Sequence, residues 1–486
     1  MKIINIDNFM YGIYIHINLP KGMKVVDYDV LILGGGIVGC AIAYELSKYS
    51  LNIALIEKDY DIADDVALFN SSIVYDGVES KDTLTAKLEM MGSKILDELC
   101  PKINVPFKRR PSILIAQNEE DVGKLHNIYK RSANRQINDV YLMEKEDVKD
   151  LEPYLNVEVK KALYSKNTGI ICPYDLAIAY GEIAFDNGVK FRLEEEVLDI
   201  EKITKGFRVV TNKNKFTCKM VINTTPRQNY NIDTSKNLRK SEGYLNYFIL
   251  NNEHNYKHNN LLFILGKDEE DLFKVHSLQG NTILILKSKK SLSYAEALSK
   301  VKDVVSNLEE EKIDIFYQEP FYKESAIIDE SLVDTGYIKI LSKHYGEVTV
   351  TPAIAKMICE TVVNNLNSIL KKDFIDKRRE VYRFRDLSNE EIDKIIKLDK
   401  RYGNIICKCQ KISEGEIIDA IRRPLGARTL EGIKRRTGAT YGECRGSGCL
   451  NKIIKILARE TNKKVTEIVK DSKNSIIVGA RIKEFD

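Results

Sequence analysis

The stretch that most constrains this chain is "DVLILGGGIVGCAIAYELSKYSLNIALIEK", residues 29–58. An apolar run from Asp29 to Leu33 meets a glycine turn, a helix-periodic segment from Ile37 to about Lys48, and a second apolar run closing on Glu57. The spacing predicts strand, helix and strand, the βαβ unit of a dinucleotide-binding sheet. Gly34 permits the tight turn, and Gly36 lets backbone amides approach a pyrophosphate at the helix N-terminus. Gly39 lets the helix lie close on the strand, and Glu57 is placed to accept the hydroxyls of a ribose. The unit alone does not choose between FAD and NAD.

At 486 residues, 43% apolar and 30% charged, the chain has room for two or three domains with cores of their own. "TLTAKLEMMGSKILDELC" places Leu84, Leu88, Met91, Ile95 and Leu99 on one helical stripe, expected to be a core face. "SILIA", "FRVVT" and "KMVINTT" read as strands. From about Asn365 to Gly403 the sequence turns charged, which predicts a connector leading to a separate tail module. No internal repeat or low-complexity tract interrupts it. No window carries the 18 or so apolar residues of a membrane span. The first 22 residues have no secretory pattern and fit no element of the fold, and Met23 stands as an alternative start. A net charge of +4 on 75 basic and 71 acidic residues leaves no electrostatic footprint for nucleic acid.

Of nine cysteines, Cys40, Cys100, Cys172, Cys218 and Cys359 are scattered, while four gather in the tail. The odd total and the absence of an export signal predict a cytoplasmic, reducing location and a metal rather than disulfides. Cys407 and Cys409 are one residue apart, and Cys444 and Cys449 four apart. Between the pairs, Ser413 and Glu416 form a capping box for a helix carrying Ile417, Ile418 and Ile421, with Pro424 beyond its end. A second helix is expected from Thr429 to Gly438 and a third from Asn451 to Glu460. Both thiol pairs then fall in loops that can converge. Four thiolates point to an iron–sulfur cluster or a four-cysteine zinc site, with unligated thiols the remaining reading. Spacers of one and four depart from the two-residue spacers of zinc ribbons and favour the cluster.

"GNIICKCQKISEGEIIDAIRRPLGARTLEGIKRRTGATYGECRGSGC" resembles the bacterioferritin-associated-ferredoxin-type [2Fe-2S] domain fused to the C-terminus of anaerobic glycerol-3-phosphate dehydrogenases. The glycine-loop region is similar to the FAD-binding domain of the same enzymes, within the D-amino-acid-oxidase-like superfamily. "NTGIICPYDLAIAYGEIAFDNGVKFRLEEEV" and "TPAIAKMI" resemble that group too. The resemblance implies an α/β fold: a Rossmann-like FAD-binding domain with an inserted α+β substrate domain, and a small helical C-terminal [2Fe-2S] domain. Its boundaries are an N-terminal extension at 1–26, the oxidoreductase at 27–364, a charged connector at 365–402 and the cluster domain at 403–486. It implies FAD at Gly34, Gly36, Gly39, Glu57, Asn70 and Ser71, with Val197 near the adenine, and a cluster on Cys407, Cys409, Cys444 and Cys449. A small-molecule substrate and an electron-transfer protein partner or subunit complete the expectation, without nucleic acid or a transmembrane segment.

Departures from the family pattern leave catalytic residues unassigned. Ser72 replaces a glycine, and Tyr75 replaces the histidine expected beside the flavin ring. Thr224, Thr225 and Pro226 stand where an alanine-glycine pair usually follows the strand. Gln279 replaces a histidine before Gly280 and Asn281, and Ile285 and Leu286 replace a glycine-proline pair. No arginine stands near Ser325 for an anionic group, and Gly346 alone remains of a proline-glycine loop. Each lost glycine is a place where backbone can no longer approach the cofactor closely. His276 and His344 are the nearest histidines and read as surface or satisfied core. Arg422, Arg423, Arg428, Lys434, Arg435, Arg436 and Arg445 form either a solvated face or a dock for an acidic partner. Two functions follow: a glycerol-3-phosphate dehydrogenase-like enzyme passing electrons from flavin to the cluster, or a non-catalytic or altered-substrate electron-transfer subunit with an eroded flavin site.

Overall fold

The computed structural model describes residues 26–479 apart from 64–71, 227, 234–242, 251–258, 279–280, 306–307, 322–327, 330–334, 341–344 and 443. The N-terminal extension, Asn70, Ser71, Gln279, Gly280, Ser325 and His344 lie outside the described residues.

The glycine-loop unit forms as β1 (Tyr28–Leu33), α1 (Ile37–Ser47) and β2 (Ile53–Ile56). β1 and β2 run parallel in register from Val30 opposite Ile53 to Leu33 opposite Ile56. Both faces of the central strand are covered, so its sequence is a continuous apolar run rather than an alternation. β3 (Lys190–Arg192), β4 (Val197–Ile203), β5 (Gly206–Thr211), β6 (Lys215–Asn223) and β7 (Tyr337–Ile340) complete the main ladder. Its order is β4, β5, β6, β1, β2, β3, with β7 also pairing parallel with β6. α1 packs with α2 (Thr83–Leu99), α3 (Pro173–Asp186) and α4 (Glu347–Leu366) into one apolar body against this sheet.

The buried face of α2 differs from the predicted stripe. Leu88 and Leu99 are in the core, but Met91 is 36% exposed and the buried face runs through Ala86, Gly92, Ser93 and Leu96. The cause is Gly92, where a Cβ would lie 1.7 Å from the Thr349 carbonyl oxygen. The helix is turned so that its glycine meets α4.

The second sheet orders Ile313–Phe321, Gly243–Leu250, Thr282–Ser288, Leu272–His276, Leu261–Ile264, Ser112–Ala116, Lys161–Ser165 and Val140–Glu144. All neighbours in it are antiparallel except Leu261–Ile264 beside Ser112–Ala116. It is the inserted α+β layer. In the tail, a short hairpin of Ile405–Cys407 and Ile412–Ser413 precedes α5 (Glu414–Arg422), α6 (Leu430–Thr437) and α7 (Leu450–Thr461) around a core of isoleucines. The predicted caps are in place: Ser413 Oγ accepts from Glu416 N at 3.2 Å while Glu416 Oε2 accepts from Ser413 N at 2.7 Å. Thr429 starts α6 and Gly438, at φ +80, ends it. Among the described residues no helix is long and apolar enough to cross a membrane.

Candidate functional site

The C-terminal ends of β1 and β2 bring Gly34, Gly36, Gly39 and Glu57 together. Gly34 takes φ +101, and a Cβ on Gly39 would lie 2.0 Å from the Gly34 carbonyl oxygen, so neither position admits a side chain without moving the turn. α1 begins at Gly36 with no side-chain cap and no acidic residue in its first turn. Its first amides and the positive end of its dipole therefore suit an anion. Glu57 Oε2 accepts from Gly35 N at 2.6 Å and Oε1 from Asp59 N at 2.9 Å, which fixes the carboxylate beside the turn. Val197 opens β4 and packs in the same apolar layer as Ile56. These residues fit the pyrophosphate and ribose of a dinucleotide. Thr224 and Thr225 turn inward: Thr224 Oγ1 donates to the Leu33 carbonyl at 2.8 Å, and Thr225 Oγ1 to Asn223 Oδ1 at 2.5 Å. They brace the strand ends.

Towards the second sheet the surroundings become aromatic. Ser72 holds φ +60, the left-handed conformation that a glycine adopts freely and a serine resists. Tyr75 is buried; its N–H donates to Thr349 Oγ1 at 3.1 Å, and its ring lies edge-on to Tyr345 at 5.1 Å and stacked on Phe263 at 6.4 Å. Ile285 is fixed in mid-strand, opposite Tyr247 and Phe273. His276 ends its strand with Nδ1 paired to Thr282 Oγ1 at 2.8 Å. Gly346 caps the N-terminus of α4.

The four tail thiols are arranged as two neighbouring pairs. Cys409 Sγ lies 3.1 Å from Cys444 Sγ at the surface, and the buried Cys449 has the buried Cys407 as its thiol neighbour. Among the described residues no three His, Cys, Asp or Glu side chains close on a single-ion site. The Cys409 thiol donating to Cys444, with the N–H groups of Gly446 and Gly448, holds Cys444 below the usual thiol range. Cys449 caps α7, whose positive end favours a negatively charged group. Close approach of the loops depends on Gly442, where a Cβ would sit 2.4 Å from that of Cys409.

All seven cations singled out around this module have internal partners. Arg422 pairs with Glu460, Arg423 with Glu182 and Asp419, Lys434 with Glu431, and Arg445 with Asp314 of the second sheet. Arg435 and Arg436 reach Asp61, and Arg428 donates to the Ile421 and Ala427 carbonyls. Sequence reasoning passed over Asp61, Asp175, Glu182 and Arg378, which join the tail, the connector and the body. Their partners lie in segments far away in sequence, and only the fold brings them together.

Residues 29–244 match the FAD dependent oxidoreductase family, and residues 405–459 match the BFD-like [2Fe-2S] binding domain. A glycerol 3-phosphate dehydrogenase of Caloramator mitchellensis is 34% identical over 485 residues, covering 93% of this chain and 98% of that protein. The fold is shared with the FAD-bound L-alpha-glycerophosphate oxidase of Mycoplasma pneumoniae at a TM-score of 0.62 and 24% identity, over 73% of this chain and 99% of that one. It is shared also with the glycerol-3-phosphate dehydrogenase of Bacillus halodurans complexed with FAD, at 0.60 and 15%, over 90% and 91%.

Proposed function

Because this chain belongs to the FAD-dependent oxidoreductases of the glycerol-3-phosphate dehydrogenase family and carries a BFD-like [2Fe-2S] domain, we propose that it is a dehydrogenase in which the oxidoreductase body feeds the cluster. In this reading residues 27–364 form the body, 365–402 a strap and 403–486 the cluster module. FAD, when bound, supplies the acceptor for a substrate's electron pair, and the cluster supplies a one-electron outlet. The chain's own residues provide the anchors. Amides at the start of α1 and the glycines 34, 36 and 39 hold the pyrophosphate, and Glu57 holds the ribose hydroxyls. Cys407, Cys409, Cys444 and Cys449 hold the irons. The observation that carries this reading is the pairing of those four thiols on a module ion-paired to the loop that follows Glu57.

The substrate is a small hydroxylated molecule, and glycerol 3-phosphate is expected to be a poor one. An arginine pairs with phosphate through two charge-assisted hydrogen bonds, and a neutral serine at 325 offers none. Loss of such a contact costs about 2 to 4 kcal/mol, roughly a hundredfold in specificity. Tyr75, closed in by Tyr345 and Phe263, supplies no base at neutral pH. That aromatic closure favours the second reading, an electron-transfer subunit that keeps fold and cluster without turnover. The two separate in one experiment on protein purified without oxygen. Flavin and cluster bands with slow bleaching by millimolar glycerol 3-phosphate support an altered-substrate enzyme. Cluster bands alone support the subunit, and fast saturable bleaching at micromolar substrate would establish a plain glycerol-3-phosphate dehydrogenase.

A further inference from the structure

The loop between Glu57 and Ala63 is stitched to the glycine turn at both ends. Glu57 Oε2 accepts from Gly35 N at 2.6 Å, and Ala63 N donates to the Gly35 carbonyl at 2.9 Å. Ala63 takes φ +62, a conformation that a residue with a Cβ adopts only when its surroundings impose it. Asp61 lies between these ends, its side chain 2% exposed. Oδ1 accepts from Ile62 N at 2.8 Å, and the carboxylate is gripped by both arms of Arg436, Nη1 to Oδ2 at 2.6 Å and Nη2 to Oδ1 at 2.7 Å. Arg435 Nη2 adds a second cation 3.7 Å from Oδ2. Arg436 belongs to α6 of the tail module and is itself held by the Leu425 carbonyl at 2.6 Å and the Gly432 carbonyl at 3.0 Å. Gly432 is cut to this contact, because a Cβ there would stand 2.6 Å from Asp61 Oδ2.

We infer that Arg436 and Asp61 are positioning residues for FAD: the cluster module holds the loop that presents Glu57 and the glycine turn, so that FAD binding depends on a contact made outside the FAD-binding domain. Neither residue belongs to the glycine turn or to the ribose acid, and the inference rests on the assignment of FAD to Gly34, Gly36, Gly39 and Glu57. A bidentate, buried arginine–carboxylate pair fixes both position and orientation of the loop. Thermodynamic reciprocity follows, and bound FAD stabilises the docked module by the same factor.

The test is the FAD dissociation constant, read from quenching of flavin fluorescence on full-length, cluster-loaded protein stripped of FAD and refilled. Single neutralisation leaves a buried charge unpaired, so the informative variant is Asp61→Asn combined with Arg436→Met, which removes both charges. Its dissociation constant is expected to rise about tenfold, with iron and acid-labile sulfide per chain unchanged. Arg436→Lys keeps the charge but loses the fork, and an intermediate rise is expected. FAD affinity equal to wild type in the double variant overturns the inference. If that variant does not fold, Arg436→Lys decides, and wild-type affinity there overturns it equally. A wild-type chain that takes up no FAD would instead remove the assignment of the glycine turn itself, and the inference with it.

Discussion

Glu89 is buried in α2 with Oε2 accepting from Ser80 Oγ at 2.6 Å and Oε1 without a hydrogen-bond partner among the described residues. Burial pushes its carboxyl up to about 8; the Ser80 hydrogen bond and Arg135 pull the other way, while Asp76 and Asp82 add to the rise. The unfolded chain ionises Glu89 near 4.5, whereas the folded chain keeps the proton until about 8. Between those values the folded state binds more protons, so each unit of rising pH costs up to about 1.4 kcal/mol of stability. Wild type measured against Glu89→Gln in urea unfolding, with cofactor content matched, is expected to lose ground steadily from pH 5 to pH 8. A difference that stays constant with pH would mean that Glu89 is ionised in the fold. Nothing local marks this residue in sequence, where it sits among ordinary helix formers. Ser72 is the opposite case: the serine is visible in the letters, but that its backbone takes φ +60 is visible only in the fold.

Elements whose ends are fixed by neighbours in sequence were legible, because their chemistry is local. The Ser413–Glu416 box, the Thr429 cap and the Gly438 terminator each need only residues within one turn. The face of α2 was not, since it is set by α4, a helix far along the chain, through the contact of Gly92 with the Thr349 carbonyl. Gly92→Ala is therefore expected to force the two helices apart and cost about 1 to 3 kcal/mol, seen as a lower denaturation midpoint. An unchanged midpoint would show that the crossing yields without cost. In the thiol loops the spacing of the four cysteines is visible in the sequence, while their division into a surface pair and a buried pair came from the fold. Cys444→Ser removes a soft ligand from the surface pair, and iron and acid-labile sulfide are both expected to fall sharply. Zinc without sulfide in anaerobically purified wild type would replace the cluster by a zinc site.

Across the whole molecule, the charged connector serves as a fastening, which sequence could not reveal because its partners lie on α3. Arg378 is buried with Nη1 on Asp175 at 2.7 Å and Nε on Glu182 at 2.6 Å. Arg383 joins Asp175 from the connector at 2.7 Å, and Arg423 of the tail joins Glu182 at 3.0 Å. One network thus spans body, connector and cluster module. Burial opposes ionisation of Asp175 and Glu182, but the arginines outweigh it and hold both below the ordinary carboxylate range. Carboxyls depressed in the fold stabilise it above their unfolded values, and this contribution disappears as acid drives the pH down through the depressed ones. Replacing Arg378 by methionine keeps much of the volume and leaves two buried carboxylates short of a partner, a change that costs about 3 to 5 kcal/mol. The expected outcome is a lower melting temperature at neutral pH and a loss that shrinks toward acid pH, where the stranded carboxylates take up protons. If Arg378→Met melts with wild type at neutral pH, Arg378 adds nothing to the fastening beyond the remaining ion pairs of Arg383 and Arg423 and the apolar contacts.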